Sequence, residues 1–299
     1  MHILITGGSG FIGQALCPLL LQAGHELTVL SRDPARAARS LPPGVELVQQ
    51  LDQAKRVEAV VNLAGEPLAE GRWTERRKQE FRQSRLGTTQ ALMQWIERLP
   101  AVQRPRMLVS GSAIGYYGPR DDRKLDENAP PGDDFSATLC RDWENAAHAA
   151  EALGLRVAIV RIGVVLGPGG GALAKMLPPF KMGAGGPMGD GQQWMSWVHR
   201  QDLVRMILWL LENDSARGPY NATAPEPVRN REFATTLARV LHRPALVTTP
   251  ALALKLMFGE MSTLLLTGQR VVPAHAKAEG FEFKHPQLEA ALREVVSAS

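Results

Sequence analysis

The chain has 299 residues, and its 34 lysines and arginines against 30 aspartates and glutamates give a formal net charge of +4. That charge is small for this length and the basic residues are scattered, so we expect no nucleic-acid partner. Only two cysteines occur, Cys17 and Cys140, which excludes a disulfide framework and favours a reducing compartment. The apolar stretch 251–266 is interrupted by charged residues, so we expect no membrane span. A strand starting at residue 2 leaves no room for a signal peptide, and we expect a cytoplasmic protein.

A glycine-rich turn follows a short apolar strand at the beginning of the chain. The run Gly7-Gly-Ser-Gly10-Phe-Ile-Gly13 leads into a helical pattern over 14–23. Glycines at this spacing allow a tight turn, close approach of the backbone to a pyrophosphate, and close packing of helix on strand. The positive end of the helix dipole then faces the phosphates. A plain βα turn is the alternative. We predict a dinucleotide site whose cofactor-binding residues include Gly7, Ser9, Gly10, Phe11, Ile12 and Gly13.

The end of the second predicted strand, Glu26–Leu30, discriminates between cofactors. An acidic residue there would accept hydrogen bonds from the ribose 2′-hydroxyl of NAD, but this chain continues with Ser31 and Arg32. A hydroxyl and a guanidinium suit a 2′-phosphate. Asp33 could serve NAD, but it lies beyond the usual end of the strand, and Arg32 could also be a solvated surface charge. Ser31 and Arg32 therefore favour NADP(H).

Strands and helical segments alternate over the rest of the first two thirds of the chain. Further strands are predicted at 45–48, 59–62, 106–110 and 156–161, which favours an α/β, doubly wound parallel sheet. Ligands bind beyond the carboxyl ends of such strands. Glu80 and Arg85, on a long helix predicted over 74–95, are further candidates for the cofactor edge. The candidate cofactor-binding residues at or just past strand ends are Asn62, Leu63, Ala64, Gly65 and Val165.

The organisation of the chain is expected to be a large nucleotide-binding unit with a smaller lobe. We assign residues 1–166 and 200–222 to the NADP(H)-binding domain. Residues 167–199 and 223–299 are assigned to a mostly helical substrate lobe and lid, with a C-terminal domain at about 248–297. Segment 167–196 is rich in glycine and proline around one helical patch, and such long loops are usually lids or binding loops. The spacing of histidines, cysteines and acidic residues predicts no metal site.

Several motifs resemble one known protein superfamily. The chain resembles extended short-chain dehydrogenases/reductases in five motifs that occur in the same order. They are Thr6–Gly13, Asn62-Leu-Ala-Gly65, Ser110–Ala113 with Tyr117-Gly118, Arg161–Pro168 and Trp197–Asp202. Within that superfamily the chain resembles an atypical "epimerase family" group, like the NAD-dependent epimerases/dehydratases, that ends in a domain of unknown function. The resemblance implies a Rossmann fold, a bound NADP(H) and a substrate lobe that closes over the nicotinamide.

The chain departs from that superfamily in its catalytic residues. The superfamily uses a serine, then a tyrosine, then a lysine four residues later. Ser112 fills the serine place, but Phe135 and Leu139 stand where the tyrosine and lysine are expected. Ser84 also stands where an asparagine is usual. The usual acid/base couple is therefore absent.

Other side chains could take part in proton transfer. Tyr116 and Tyr117 follow Ser112 in the loop after the fifth strand, so Ser112, Tyr116 and Tyr117 are the candidate catalytic residues. Packing of the two aromatic rings under the lobe is the alternative. His199 is interpreted as structural, and Lys175 either points into the site or is solvated.

Two functions follow from these features. The first is an NADP(H)-dependent oxidoreductase or epimerase acting on a small polar molecule, such as a nucleotide sugar. The second is a non-catalytic NADP(H)-binding redox sensor or partner-binding module. We expect a small-molecule substrate, no nucleic-acid or membrane partner, and a possible homodimer.

Overall fold

The computed structural model describes residues 1–298. In chain order the strands are β1 (His2–Thr6), β2 (Glu26–Leu30), β3 (Val45–Val48), β4 (Ala59–Asn62), β5 (Met107–Ala113), β6 (Lys124–Leu125), β7 (Arg156–Ile162), β8 (Val164–Leu166), β9 (Trp194–Met195), β10 (Trp197–His199), β11 (Gly218–Ala222), β12 (Val228–Arg229) and β13 (Arg270–Val271). The helices are α1 (Gly13–Gln22), α2 (Pro34–Ala37), α3 (Glu75–Arg82), α4 (Thr88–Arg98), α5 (Phe135–Ala152), α6 (Gly171–Lys181), α7 (Arg200–Glu212), α8 (Asn230–Val240), α9 (Ala251–Phe258), α10 (Thr263–Leu266), α11 (Ala274–Ala278) and α12 (Leu288–Ser297).

Seven strands form one parallel sheet in the order β3-β2-β1-β4-β5-β7-β11. The direction in which the sheet grows reverses at β1, which pairs with β2 on one side and β4 on the other. The carboxyl ends of these strands meet, because Thr6 lies beside both Leu30 and Asn62. The predicted Rossmann-type, doubly wound sheet is confirmed. Its crevice at the reversal point is where such sheets bind nucleotides.

The sheet is buried on both faces, which explains its uninterrupted apolar strands. Ile3 and Ile5 face a layer that contains α1 and α7, whereas Leu4 faces the layer of α4 and α5. All three side chains are fully buried. Alternate residues of β1 thus hold the two helical layers on opposite sides of the sheet.

The predicted long helix is interrupted once. α3 and α4 are joined by a single π-helical turn over Gln83–Gly87, and the Thr74 hydroxyl caps α3 by accepting a hydrogen bond from Arg77 N at 3.2 Å. A π turn inserts one extra residue and changes where the following side chains point. It places Ser84 and Arg85 at the inner surface of the helix, close to the turn after β4.

A smaller, mostly helical lobe packs beside the sheet, as predicted. Its core includes Trp197, Phe233 and Leu292, which come from β10, α8 and α12. Short strands hold the lobe together and connect it to the sheet domain: β12 pairs with β9 within the lobe, and β13 pairs with β6 of the sheet domain. Among residues 1–298, no helix has both the length and the apolar character needed to cross a bilayer.

Candidate functional site

The glycine turn after β1 leaves no room for side chains. Gly7 has a φ of +72°, and a Cβ there would lie 2.7 Å from the Leu63 carbonyl carbon. A Cβ on Gly13 would lie 2.2 Å from the Gly8 carbonyl oxygen. Within residues 1–298 no side chain caps α1. The N–H groups of Gln14, Ala15 and Leu16 donate to the Gly10 and Ile12 carbonyls, so the main-chain donors that remain for an anion lie in the turn before Gln14.

Arg32 and Asp33, the two charged candidates for binding the ribose after β2, have different surroundings. Asp33 Oδ1 accepts a hydrogen bond from Arg36 N at 3.0 Å and so caps α2. The Arg32 side chain is 96% exposed, and its nearest acidic partner is Glu66 Oε1 at 3.8 Å. Ser31 Oγ accepts from Asp33 N. Asp33 therefore has a structural partner, whereas Arg32 is available to a ligand.

Asn62 uses its side chain to join strand ends. Its Oδ1 accepts from Thr6 Oγ1 at 2.7 Å, and its Nδ2 donates to Thr89 Oγ1 at 2.8 Å and Ser110 Oγ at 3.3 Å. The Asn62 side chain is fully buried. A cofactor could therefore meet this segment only through the main chain and through residues 63–65, which follow at the surface.

Arg85 lies against the turn after β4, as the position of the π turn requires. Its Nη2 donates to the Glu66 carbonyl at 2.9 Å, and a Cβ on Gly65 would lie 3.0 Å from its Cζ. Burial lowers the pKa of Arg85. Glu80, by contrast, is occupied by neighbours on its own helix, with Arg77 Nη1 at 2.6 Å and Arg76 Nη1 at 3.6 Å.

Phe11 connects the glycine turn to the predicted lid. Its ring fills the space that Cβ atoms on Gly170 and Gly171 would occupy, at 2.5 Å and 2.8 Å. The Arg200 guanidinium carbon lies 4.6 Å from the ring centroid. Gly171 begins α6, and its Cβ would also lie 3.0 Å from the Val165 carbonyl oxygen. The start of α6 thus rests on the glycine turn.

A buried polar network lies at the ends of β5 and β7. Ser112 Oγ donates to Glu144 Oε1 at 2.6 Å, and the Arg161 guanidinium donates to both oxygens of Glu144, at 3.0 and 2.9 Å. Although burial alone would lower the pKa of Arg161, the hydrogen bonds and charge of Glu144 raise it overall. The Ser112 hydrogen is therefore already used within the protein.

The two adjacent tyrosines have different surroundings. Tyr117 is fully buried, donates to Asn221 Oδ1 at 2.7 Å and accepts from Arg161 Nη1 at 3.0 Å. Burial raises the pKa of Tyr117 to about 12. Tyr116 is partly exposed and has the Arg161 guanidinium carbon 3.5 Å from its ring centroid. Within residues 1–298 the Tyr116 hydroxyl has no hydrogen-bond partner, so only this phenol is free.

A second buried carboxylate, Glu127, joins this polar network to segments from the C-terminal part of the chain. Glu127 accepts main-chain hydrogen bonds from Asn221 N at 2.9 Å and His275 N at 3.2 Å. The Asn221 side chain donates to the Val272 carbonyl. The polar interior beside Tyr117 is therefore closed by residues just after β13.

The places expected for a tyrosine and a lysine are apolar. Leu139 is fully buried in a cluster with Trp73, Phe81 and Met261. The Phe135 ring packs edge-on against Trp73 at 5.2 Å between centroids. The two positions where the superfamily carries its tyrosine and lysine are therefore apolar in the fold as well as in the sequence.

Comparison with known proteins identifies the family. Residues 3–223 match the model of the NAD dependent epimerase/dehydratase family, and residues 249–295 match a domain of unknown function, DUF1731. The chain belongs to the NAD dependent epimerase/dehydratase family. This confirms the resemblance seen in the motifs.

Relatives of this epimerase/dehydratase chain span its full length. The chain is similar to the Arabidopsis thaliana "Epimerase family protein SDR39U1 homolog, chloroplastic", with 44% identity over 99% of this chain and 87% of that protein. The crystal structure of human SDR39U1 with NADPH has a TM-score of 0.90 and 38% identity, and covers 100% of both chains. A nucleoside-diphosphate sugar epimerase from Corynebacterium glutamicum has a TM-score of 0.78 and 31% identity, over 99% of this chain and 58% of that one. The predicted cofactor, NADP(H), agrees with the family and with the human structure.

Some residues of this site were not identified from the sequence. None of Glu127, Glu144 and Asn221 was proposed as a site residue from the sequence, and Arg161 was noted only as part of a motif. One signal was available, because Arg161 is a charge inside an otherwise apolar buried strand. Lys175 donates to the Ala69 carbonyl at 2.7 Å, which ties α6 to the loop after β4.

Proposed function

We propose that this chain binds NADPH across the carboxyl ends of β1, β2 and β4, and that it reduces or epimerises a small polar substrate. The observation that carries the proposal is the glycine turn, where Cβ atoms on Gly7 and Gly13 would collide with the main chain and α1 has no side-chain cap. Main-chain donors there suit the pyrophosphate, and Ser31 and Arg32 suit the 2′-phosphate. When bound, NADPH would supply a hydride for reduction, whereas epimerisation would need NADP⁺ to accept a hydride and return it to the same carbon.

The substrate class we infer is a nucleoside-diphosphate sugar, as in the Corynebacterium relative. A cleft of about 510 Å³ is lined by Arg120, Arg123, Arg229 and Trp194, together with Asp121 and Asp190. Arg123 pairs with Asp121 and Arg229 with Asp122, so a diphosphate would have to displace these carboxylates. It adjoins the turn that carries Tyr116, because Gln269 Nε2, next to the cleft, donates to the Ile114 carbonyl. Guanidinium groups bind phosphate oxygens in pairs of hydrogen bonds, and an indole ring can stack on a base.

Within this proposal Tyr116 is the proton donor. A carbonyl oxygen that gains charge during hydride transfer needs a hydrogen-bond donor. The Ser112 hydrogen is directed to Glu144 and the Tyr117 hydrogen to Asn221, which leaves the Tyr116 hydroxyl. Ser112 then acts by accepting a hydrogen bond or by positioning its neighbours.

A non-catalytic NADPH sensor is the second candidate. The observation that favours it is the apolar cluster at Phe135 and Leu139, which removes the usual acid/base couple. In a sensor, NADPH binding would change the position of the lid that rests on Phe11, with no turnover.

The test compares two conservative variants that differ only in which phenol loses its hydroxyl. Wild type, Tyr116→Phe and Tyr117→Phe are incubated with NADPH or NADP⁺ and a panel of nucleoside-diphosphate sugars. Cofactor absorbance reports oxidation or reduction, and NMR reports epimerisation. We expect Tyr116→Phe to reduce turnover by about 100-fold, in the range of general acid/base catalysis, without changing NADPH affinity. Tyr117→Phe should retain most turnover but lose about 1–2 kcal/mol of unfolding free energy, because two partners become unsatisfied.

The outcomes separate the two candidates. No turnover by wild type with any substrate, together with NADPH binding, would favour the sensor. Turnover that survives in Tyr116→Phe but is lost in a folded Tyr117→Phe would contradict the proton-donor assignment.

A further inference from the structure

Two histidines and a glutamate meet at the seam between the sheet domain and the last helix. His199 ends β10, His285 lies in the segment before α12, and Glu294 lies on α12. One nitrogen or oxygen atom from each lies within 4.8 Å of those from the other two. Because 86 positions separate the first histidine from the second, no spacing motif announces the group.

His199 has a buried nitrogen without a partner. The residue is 2% exposed, and its Nε2 makes no hydrogen bond within the described part of the chain. The nearest carboxylate atom, Glu294 Oε1, is 3.9 Å away, beyond hydrogen-bond distance. A buried polar atom of this kind requires a partner.

His285, unlike His199, has a close neighbour for its ring nitrogen, but that neighbour is a negatively charged oxygen that faces the nitrogen lone pair. Its Nε2 lies 3.3 Å from Gln201 Oε1, an acceptor, so the ring hydrogen belongs on Nε2. The Nδ1 lone pair then faces Glu294 Oε2 at 3.2 Å. This contact is favourable only if a proton or a cation lies between the two atoms. Histidines that bind metals commonly donate their other ring N–H to an oxygen in this way.

We propose that His199, His285 and Glu294 bind one Zn²⁺ ion. Tetrahedral zinc with bonds of about 2.0–2.2 Å separates its ligand atoms by about 3.4 Å. His285 Nδ1 lies 3.2 Å from Glu294 Oε2, whereas His199 Nε2 lies 3.9 Å from the other carboxylate oxygen, Oε1. The two imidazole rings lie against each other with centroids 3.9 Å apart, so side-chain rotations are needed to bring both nitrogens and one oxygen to a single ion. Two imidazoles and one carboxylate suit Zn²⁺. Glu294 is 44% exposed, which gives the ion a route in and leaves the fourth position to water.

One local cost accompanies binding. His199 Nδ1 accepts a long hydrogen bond of 3.3 Å from Gln201 N, which places the ring hydrogen on Nε2. Coordination through Nε2 moves that hydrogen to Nδ1, so the ring stays neutral and this single long contact is lost. Metal coordination by three ligands outweighs one helix-cap contact of that length.

The ion would fasten the C-terminal segment 285–294 to the end of β10, at the point where α7 begins. Lys284 N and His285 N already donate to the two oxygens of Asp202, at 2.9 and 2.8 Å, so the segment is held in place without metal. His199 pairs with Leu166 at the end of β8, the strand that carries Val165. Bound there, zinc would stabilise the packing of α12 behind a strand of the proposed cofactor site.

The experiment uses untagged full-length protein that has been dialysed against a chelator. Calorimetric titration with ZnCl₂ is expected to show one site per chain, and Co²⁺ should give the visible absorption bands of a tetrahedral site. His285→Ala and Glu294→Gln should each weaken Zn²⁺ binding at least tenfold. His148→Ala, which removes an exposed histidine paired with Glu151, is the matched control and should bind as wild type does.

Thermal unfolding gives a second readout in case His285→Ala does not fold. Zn²⁺ should raise the Tm of wild type and of His148→Ala but not that of Glu294→Gln, in which only a half-exposed side chain changes. The proposal is wrong if wild type binds no Zn²⁺, or if His285→Ala or Glu294→Gln binds it as tightly as wild type.

Discussion

The two halves of the proposed active site are built in opposite ways. At the glycine turn, α1 has no side-chain cap and Arg32 extends into solvent. At the ends of β5 and β7, Ser112, Tyr117 and Arg161 all have hydrogen-bond partners inside the protein. Polar groups that are left open can bind ligands, whereas groups satisfied within the fold stabilise it. Substitutions in the first region should therefore change cofactor affinity, and substitutions in the second should change stability.

The largest effect is expected from Arg161→Met, which leaves the buried Glu144 carboxylate without its partner. Removing one member of a buried ion pair costs about 3–5 kcal/mol, so the free energy of unfolding in urea should fall by that amount. Arg123→Met is the control, because its pair with Asp121 is exposed on both sides and should contribute little to the free energy of unfolding. If Arg161→Met were as stable as wild type but bound NADPH more weakly, Arg161 would serve the cofactor and not the stability of the fold.

Gly13→Ala, in the glycine turn, should lower NADPH affinity rather than the free energy of unfolding. A Cβ 2.2 Å from the Gly8 carbonyl oxygen must displace the loop, and we expect NADPH affinity to fall at least ~100-fold, about 2.7 kcal/mol. Gly24→Ala is the matched control, since that Cβ meets nothing within 4 Å, although its φ of +81° costs about 1 kcal/mol of stability. Fluorescence titration measures both variants, and equal NADPH affinities would show that the loop tolerates the side chain.

Arg32→Ala tests the choice of cofactor. We expect wild type to bind NADPH at least ~tenfold more tightly than NADH, about 1.4 kcal/mol, and the variant to lose that preference. NADH affinity should not change. Asp33→Asn is the control, because asparagine also caps a helix and should preserve both affinities. A loss of NADH binding in Asp33→Asn would instead make Asp33 a ribose ligand.

The smallest effect is expected in the lid. Because α6 begins beside the Phe11 ring, NADPH should slow amide hydrogen exchange in residues 172–181 by about threefold, ~0.6 kcal/mol. Exchange in α12 serves as the internal reference and should be unaffected. Equal protection of α6 with and without NADPH would identify it as a rigid wall of the site.

The nucleotide half could be predicted because its determinants are contiguous in sequence. The strand and glycine turn lie within the first thirteen residues, and the predicted strands at 26–30 and 45–48 have the observed bounds. The spacing of apolar residues and the positions of the glycines are local features, so they can be recognised in one sequence without knowledge of distant contacts.

The second half could not be predicted because its partners are distant in sequence. The Tyr117 hydroxyl meets Asn221 across 104 positions, and nothing in the periodicity of either segment indicates that contact. The sequence also placed Tyr116 and Tyr117 in one loop without showing which side chain faces inward. That difference depends on the turn at 114–117 and on Arg161.

The Glu127 contacts have a consequence for how the protein is made. Its two main-chain donors, Asn221 N and His275 N, lie 94 and 148 positions later in the chain. At translation rates of about 5–20 residues per second, roughly 7–30 s pass between synthesis of this glutamate and synthesis of its last partner. Until then the region after β5 cannot bury its carboxylate without a large desolvation penalty. The nucleotide-binding half can therefore take shape on the ribosome, but the substrate side is completed only when the C-terminal domain has been synthesised.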